Sequence, residues 1–288
     1  MKQSLFILLV SLLLASCTSS HSSEQKKTQA EVIASSDHDA IDALLRCIND
    51  QSSHSCSLIG EGSITLKDGS SSQGGHFEIK SKRLTSAWDA SRMDSLSMIV
   101  SGPFGITGVK FLGAPDQFHF YNAIEGENYH GKPDAKSLQG LTGMNGLSLE
   151  ALNDVIYGLA PSKAEFGTGD SIVLTSSSDL RHTLFIRHPL THFTEAITLT
   201  GRLPLSASEK PKLFLSEYEK WNRAIEFDQR TLIKPDFMIN YEGIFEKKDF
   251  VLPSSIRATA GSTVLELEYT GATQNPKDLT VKIKMPKQ

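Results

Sequence analysis

The sequence predicts a mainly β domain, a strongly curved antiparallel sheet or barrel. Three observations carry that reading. From Ser57 onward, short runs of alternating apolar and polar residues are separated by turn-forming Gly, Pro, Asn and Asp. Only two stretches show the i, i+3, i+4 spacing of an amphipathic helix. The one long apolar run stands at the N-terminus, outside the domain.

That run, Leu5 to Leu14, follows Lys2 and ends in Leu14-Ala15-Ser16-Cys17. A basic start, about ten apolar residues and small residues before the cut mark a secretory signal. A cysteine directly after Leu-Ala-Ser makes it a lipobox. Residues 1–16 are then a lipoprotein signal peptide and Cys17 is the lipidation site. The run is too short for the ~20 residues that span a bilayer, whereas two or more acyl chains, palmitate among them, give stable membrane attachment. Thr18 follows the cysteine in place of the Asp that retains such proteins at the inner membrane, so the expected location is the outer membrane, facing the periplasm. Residues 17–35 are the lipidated cysteine and a polar, flexible tether with a root-mean-square reach of roughly 24 Å. Residues 36–288 form one domain.

The formal net charge of −4 leaves no electrostatic footprint for nucleic acid. Two cysteines remain, Cys47 and Cys56. In an oxidising compartment they form either a disulfide, worth about 2.7 kcal/mol on the chain-entropy model, or a pair of thiols; the disulfide is the expectation.

Within the domain, Ser36 caps a first helix whose apolar face is Ile41, Leu44, Leu45 and Ile48. A hairpin follows, Ser57 to Leu66 and Gly75 to Lys82 about the turn at Lys67-Asp68-Gly69-Ser70. Ser95 to Ser101 is a strand that turns at Gly102-Pro103-Phe104-Gly105 into Ile106 to Leu112, and Gln117 to Asn122 is the next. Ser148 caps a second helix with the stripe Leu149, Leu152, Val155, Ile156 and Leu159, ended by Gly158 and Pro161. The later strands are Ser171–Thr175, Arg181–Arg187, Phe193–Leu199, Ala224–Ile233, Phe237–Phe245, Ser262–Tyr269 and Leu279–Met285.

No nucleophile elbow, phosphate loop, zinc helix or dinucleotide fingerprint occurs. His182, His188 and His192 share one strand parity, but Pro189 interrupts the strand that would align them, so they read as surface or loop residues rather than a metal site. No pair of carboxylates stands out as a general acid and base. The expectation is a protein that is not an enzyme, with no metal and no cofactor.

The segment from Asp94 to Leu159 narrows the reading. A strand entering Pro103-Phe104-Gly105, then Leu141-Thr142-Gly143-Met144, then a helix closing on Tyr157-Gly158-Leu159-Ala160-Pro161 resembles the LolB family of outer-membrane lipoprotein localisation factors. Leu279-Thr-Val-Lys-Ile-Lys-Met285 resembles that family's last strand. The chain is longer than is usual there, the excess falling between Gly201 and Lys234, and it also resembles less characterised envelope lipoproteins of the LolA/LolB superfamily. The resemblance implies an unclosed antiparallel β-barrel, a half-barrel, with a helical lid. It implies that acyl chains lie against Leu96, Met98, Val100, Val109, Phe111, Phe118 and Phe120, under a lid of Leu152, Val155, Ile156 and Leu159. Alternation alone fits a filled core equally well. The implied partners are the outer membrane, through the N-terminal lipid; acylated lipoproteins or lipids; and a soluble LolA-like carrier as donor. The implied function is a chaperone that receives or inserts lipoproteins; the alternative is a structural or assembly lipoprotein whose filled barrel is a docking module. Phe104 would be the membrane-insertion tip, its ring projecting from a turn that Pro103 and Gly105 tighten, unless it folds back over the sheet.

Overall fold

The computed structural model describes residues 38–54, 56–84, 93–142, 144, 147–161, 170–177, 179–202, 212–247, 250–282 and 285. The signal peptide, Cys17, the tether and the Ser36 cap lie outside them.

Helix α1 is His38–His54, and the hairpin β1 (Ser57–Asp68) and β2 (Ser71–Lys82) follows it. Next come β3 (Ser95–Ser101), β4 (Thr107–Gly113), β5 (Phe118–Asn122) and β6 (Glu127–Gly131). Two short helices, α2 (Ala135–Thr142) and α3 (Leu149–Ile156), lead into β7 (Ser171–Ser176), β8 (Arg181–His188), β9 (Phe193–Arg202) and β10 (Lys212–Trp221). The chain closes with β11 (Phe237–Glu242), the small hairpin β12 (Phe245–Lys247) and β13 (Phe250–Leu252), β14 (Ser255–Ala260) and β15 (Thr263–Gln274). Thirteen strands form one sheet in the order β6-β5-β4-β3-β2-β1-β15-β14-β11-β10-β9-β8-β7, and β12 and β13 form a second. Every neighbouring pair is antiparallel. The large sheet is unclosed, with β6 and β7 as its edges, so the fold is the expected mainly β, half-barrel kind.

The inner face of the sheet carries the main core. Ile41, Leu44 and Cys47 of α1, the α3 stripe, and alternate residues of β1–β5, β7–β11, β14 and β15 form one contiguous apolar cluster. At Gly62 the backbone of Glu268 approaches so closely that a Cβ would lie 1.9 Å from its carbonyl oxygen, and the β1–β15 register slips at that point.

Three expectations are corrected. Ala224–Ile233 is not a strand: its only regular element is a 3-10 turn at Phe227–Gln229, and Ile225, Phe227 and Ile233 pack with Phe185, Ala196 and Trp221 on the outer face of the sheet. The strand of that region is β10, hidden from a period-two reading because its register shifts between Leu215 and Glu217. Leu213 and Leu215 face the main core, and after the bulge Tyr218 does. Of the expected strand Leu279–Met285, residues 279–282 are not strand; β1 is already paired on both sides, with β2 and with β15, which runs on to Gln274. Cys47 and Cys56 are not bonded to each other: Cys47 is buried within the core while Cys56 is exposed at the start of β1. Helix α2, β6, β13 and β14 went unread in the sequence.

Candidate functional site

The register places all seven expected acyl-lining residues on one face. Leu96 pairs with Gly113, Met98 with Phe111 and Val100 with Val109. Across the next strand, Phe111 pairs with Phe120 and Gly113 with Phe118. Directly opposed residues share a face, so the seven form one apolar lane across β3, β4 and β5, with Phe111 and Phe118 stacked at 6.1 Å. Burial falls along the lane. Leu96, Phe111 and Phe118 are buried, whereas Met98, Val100, Val109 and Phe120 are half-buried.

Helix α3 produces that gradient by covering one end of the lane. Ser148 caps it as expected, accepting from Ala151 N. Gly158, at φ +71°, ends it in a Schellman turn with Leu159 N bonded to Asp154 O and Gly158 N to Val155 O. Leu149 lies over Gly113, where a Cβ would come within 2.5 Å of its Cδ1. Leu152, Val155, Ile156 and Leu159 all join the core.

Polar ties also hold α3 down. Asn153 Nδ2 donates to Asp94 Oδ2 at 3.1 Å and Asn153 Oδ1 accepts from Ser81 Oγ at 2.9 Å. Asp154 pairs with Arg83 at 3.0 Å, both nearly buried. The hydroxyls of Tyr269 and Tyr241 donate to Ile156 O and Leu159 O at the helix end. Burial raises the pKa of both hydroxyls well above the usual tyrosine value, so they stay donors throughout the physiological range. None of these tethers was anticipated. The signal was an Asn153-Asp154 pair inside an apolar stripe, at helix positions where polar groups persist only if bonded.

Among the described residues, two hollows lie near the sheet and α3. One, of about 400 Å³, opens at the N-terminal end of α3 between Asp94, Asp116, Lys132, Asp134 and Glu150. The other, of about 370 Å³, lies on β2, β1 and β15 beside Glu61, Glu78 and Lys80. The seven lane residues line neither.

At the uncovered end of the lane stands the turn between β3 and β4. Phe104 is fully exposed and sits at φ +61°, a region costly for a bulky residue. Its ring thus obtains no burial in return for that backbone strain.

His182 and His188 are buried on β8, not at the surface, and His192 lies in the following turn. His188 bonds Asp170 Oδ2 through Nδ1 and Glu195 Oε1 through Nε2, at 3.1 and 3.0 Å, and Tyr218 donates to Glu195 Oε2. The Glu195 hydrogen bond, helped by the charges of Glu195 and Asp170, raises the His188 pKa against the opposing effect of burial. Among the described residues, no group of three or more His, Cys, Asp or Glu could hold a metal ion.

No family model matches the sequence, and no curated protein is similar to it in sequence. Solved structures are similar in fold. A DUF1329 family protein from Desulfovibrio piger aligns with a TM-score of 0.54 at 11% identity, over 84% of this chain and 94% of that one. A protein described as a putative outer membrane lipoprotein-sorting protein domain, from Vibrio parahaemolyticus, aligns at 0.51 and 12% identity, over 82% and 93%. A LolA superfamily protein from Nitrosomonas europaea aligns at 0.46 and 11% identity.

Proposed function

We propose that this chain is a lipid-anchored envelope protein, not an enzyme, that accepts the acyl chains of lipoproteins on the inner face of its half-barrel and passes them to the membrane past Phe104. The observation that carries this reading is the graded lane: apolar side chains run from beneath α3 to a half-open end, beyond which a strained, fully exposed aromatic ring projects. A lane that loses cover in one direction gives a chain a route to slide along. The lipobox at Cys17 and the fold shared with a lipoprotein-sorting domain support it. On this reading the donor is a soluble LolA-like carrier and the acceptor surface is the outer membrane.

The continuity of the core beneath a tied α3 favours a second reading, in which the barrel is filled and serves as a docking module. Titrating cis-parinaric acid into the purified protein separates the two. Saturable fluorescence, abolished by Phe120→Glu with an unchanged melting temperature, is expected for the acceptor. Phe120 is half-buried, and a carboxylate there meets a chain it cannot solvate. Absence of saturable binding would leave the docking module.

A further inference from the structure

Six turns lie at one end of the sheet: 69–70, 102–106, 123–126, 189–192, 222–236 and 261–262. The registers require this, because Asp68 pairs with Thr263, Phe193 with His188, and Phe237 with Lys220. Among the described residues, the five most exposed large apolar side chains all stand on these turns: Phe104, Ile106, Ile124, Leu190 and Leu232, at 67–101% exposure. At the opposite end, Leu84, Met93, Leu180, Ile244 and Val251 reach only 45–53%. The pattern crosses both halves of the sheet, since Leu190 and Leu232 belong to β8–β9 and β10–β11. Pro189-Leu190 also repeats the Pro103-Phe104 pairing of a rigid residue with an apolar one.

We infer that this whole end of the barrel, not the Phe104 turn alone, is a membrane-docking rim that rests its apolar tips in the interface of the bilayer holding the lipid anchor. The inference rests on the lipid-anchored reading above. Separate projecting tips on separate turns suit a fluid surface that closes around each one; a rigid protein partner would need a matching pocket for every tip. Single exposed apolar residues need no explanation in general, but five gathered at one end of thirteen strands do. The chain allows the contact. From Cys17 to His38 it extends up to about 70 Å, whereas the longest strands span about 40 Å, so the rim can face the anchoring leaflet whichever end the tether leaves from.

The test uses the full lipidated protein in vesicles of phosphatidylethanolamine and phosphatidylglycerol with brominated acyl chains. Phe104→Trp, Leu190→Trp and Leu232→Trp are compared with Leu180→Trp at the opposite end, against the constant background of the native Trp88 and Trp221. At least twofold quenching of the added emission is expected at the three rim positions and none at Leu180. Quenching at Phe104 alone would overturn the rim and leave the insertion tip standing. Blue-shifted but unquenched emission at Leu190 and Leu232 would assign those tips to a protein partner and overturn it too. Acyl uptake, measured separately with cis-parinaric acid, is indifferent to every one of these outcomes.

Discussion

On β2 the side chains alternate, Phe77, Ile79 and Ser81 buried between exposed His76, Glu78 and Lys80; on β8 every residue from His182 to Ile186 is buried. The two halves of one sheet are thus covered differently. In the half from β6 to β1, the outer face of β1 and β2 meets water and α3 covers only part of the inner face. In the β7–β10 half, α1 reaches the inner side, where Gln51 donates to Leu213 O, and residues 222–236 close the outer side. A second small core forms there, with Phe185, Ala196, Trp221 and Ile225, and Arg230 pairs with Glu217 and Glu219 beside it. Coverage on both faces makes a scaffold, whereas coverage on one face leaves a surface with work to do. The half-open lane and the strained Phe104 both belong to the singly covered half.

The largest effect should come from breaking the second layer. Trp221→Ala removes a fully buried ring and its hydrogen bond to Ile233 O, with an expected loss of about 3–5 kcal/mol in denaturant unfolding. Acyl uptake per folded molecule should stay unchanged. A loss below about 1 kcal/mol would mean the doubly covered half is no scaffold.

Next comes the tie beneath α3. Asp154→Asn keeps the shape but removes the charge facing buried Arg83, at an expected cost of about 1.5–3 kcal/mol. Faster amide exchange through α3 and stronger uptake of acyl probe should accompany it. Exchange at the wild-type rate would refute the idea that α3 is held by its polar contacts.

The scaffold half should also carry a modest pH dependence. The raised pKa of His188 means the folded state holds its proton more tightly than the unfolded chain does. The resulting stability is fully present below the ordinary histidine value of 6.5 and is lost as pH climbs through the raised folded value. Melting temperature should therefore fall over that window in the wild type. His188→Gln should flatten this part of the profile, and a persisting slope would place its origin elsewhere.

The smallest effect on stability belongs to Phe104. Phe104→Gly gives up no burial and relieves a left-handed backbone, so stability should hold or rise by about 1 kcal/mol. Transfer of bound lipoprotein into liposomes should fall at least tenfold. Transfer at the wild-type rate would end the case for Phe104.

Period and punctuation made the singly covered half readable. Ser95–Ser101 was read to the residue, and Ser148 and Gly158 bounded the α3 region, because alternation and caps are local chemistry. Phe104 was legible for the same reason, between a Pro and a Gly. In the doubly covered half these cues fail. A strand buried on both faces loses its alternation, and the bulge near Ser216 reverses it midway, so β10 was missed and its neighbour Ala224–Ile233 was mistaken for a strand.

By itself, the sequence determined the mainly β class, the capped α3 helix and the apolar alternation of the seven lane residues, since each follows from spacing along the chain. Only the tertiary structure decided that those seven share one lane, that Cys47 and Cys56 are not bonded to each other, that Tyr241 and Tyr269 hold the end of α3, and that five apolar tips collect at one end. The lane, the tyrosine ties and the gathered tips depend on register and pairing between residues distant in sequence, and local composition carries no record of which strands will meet.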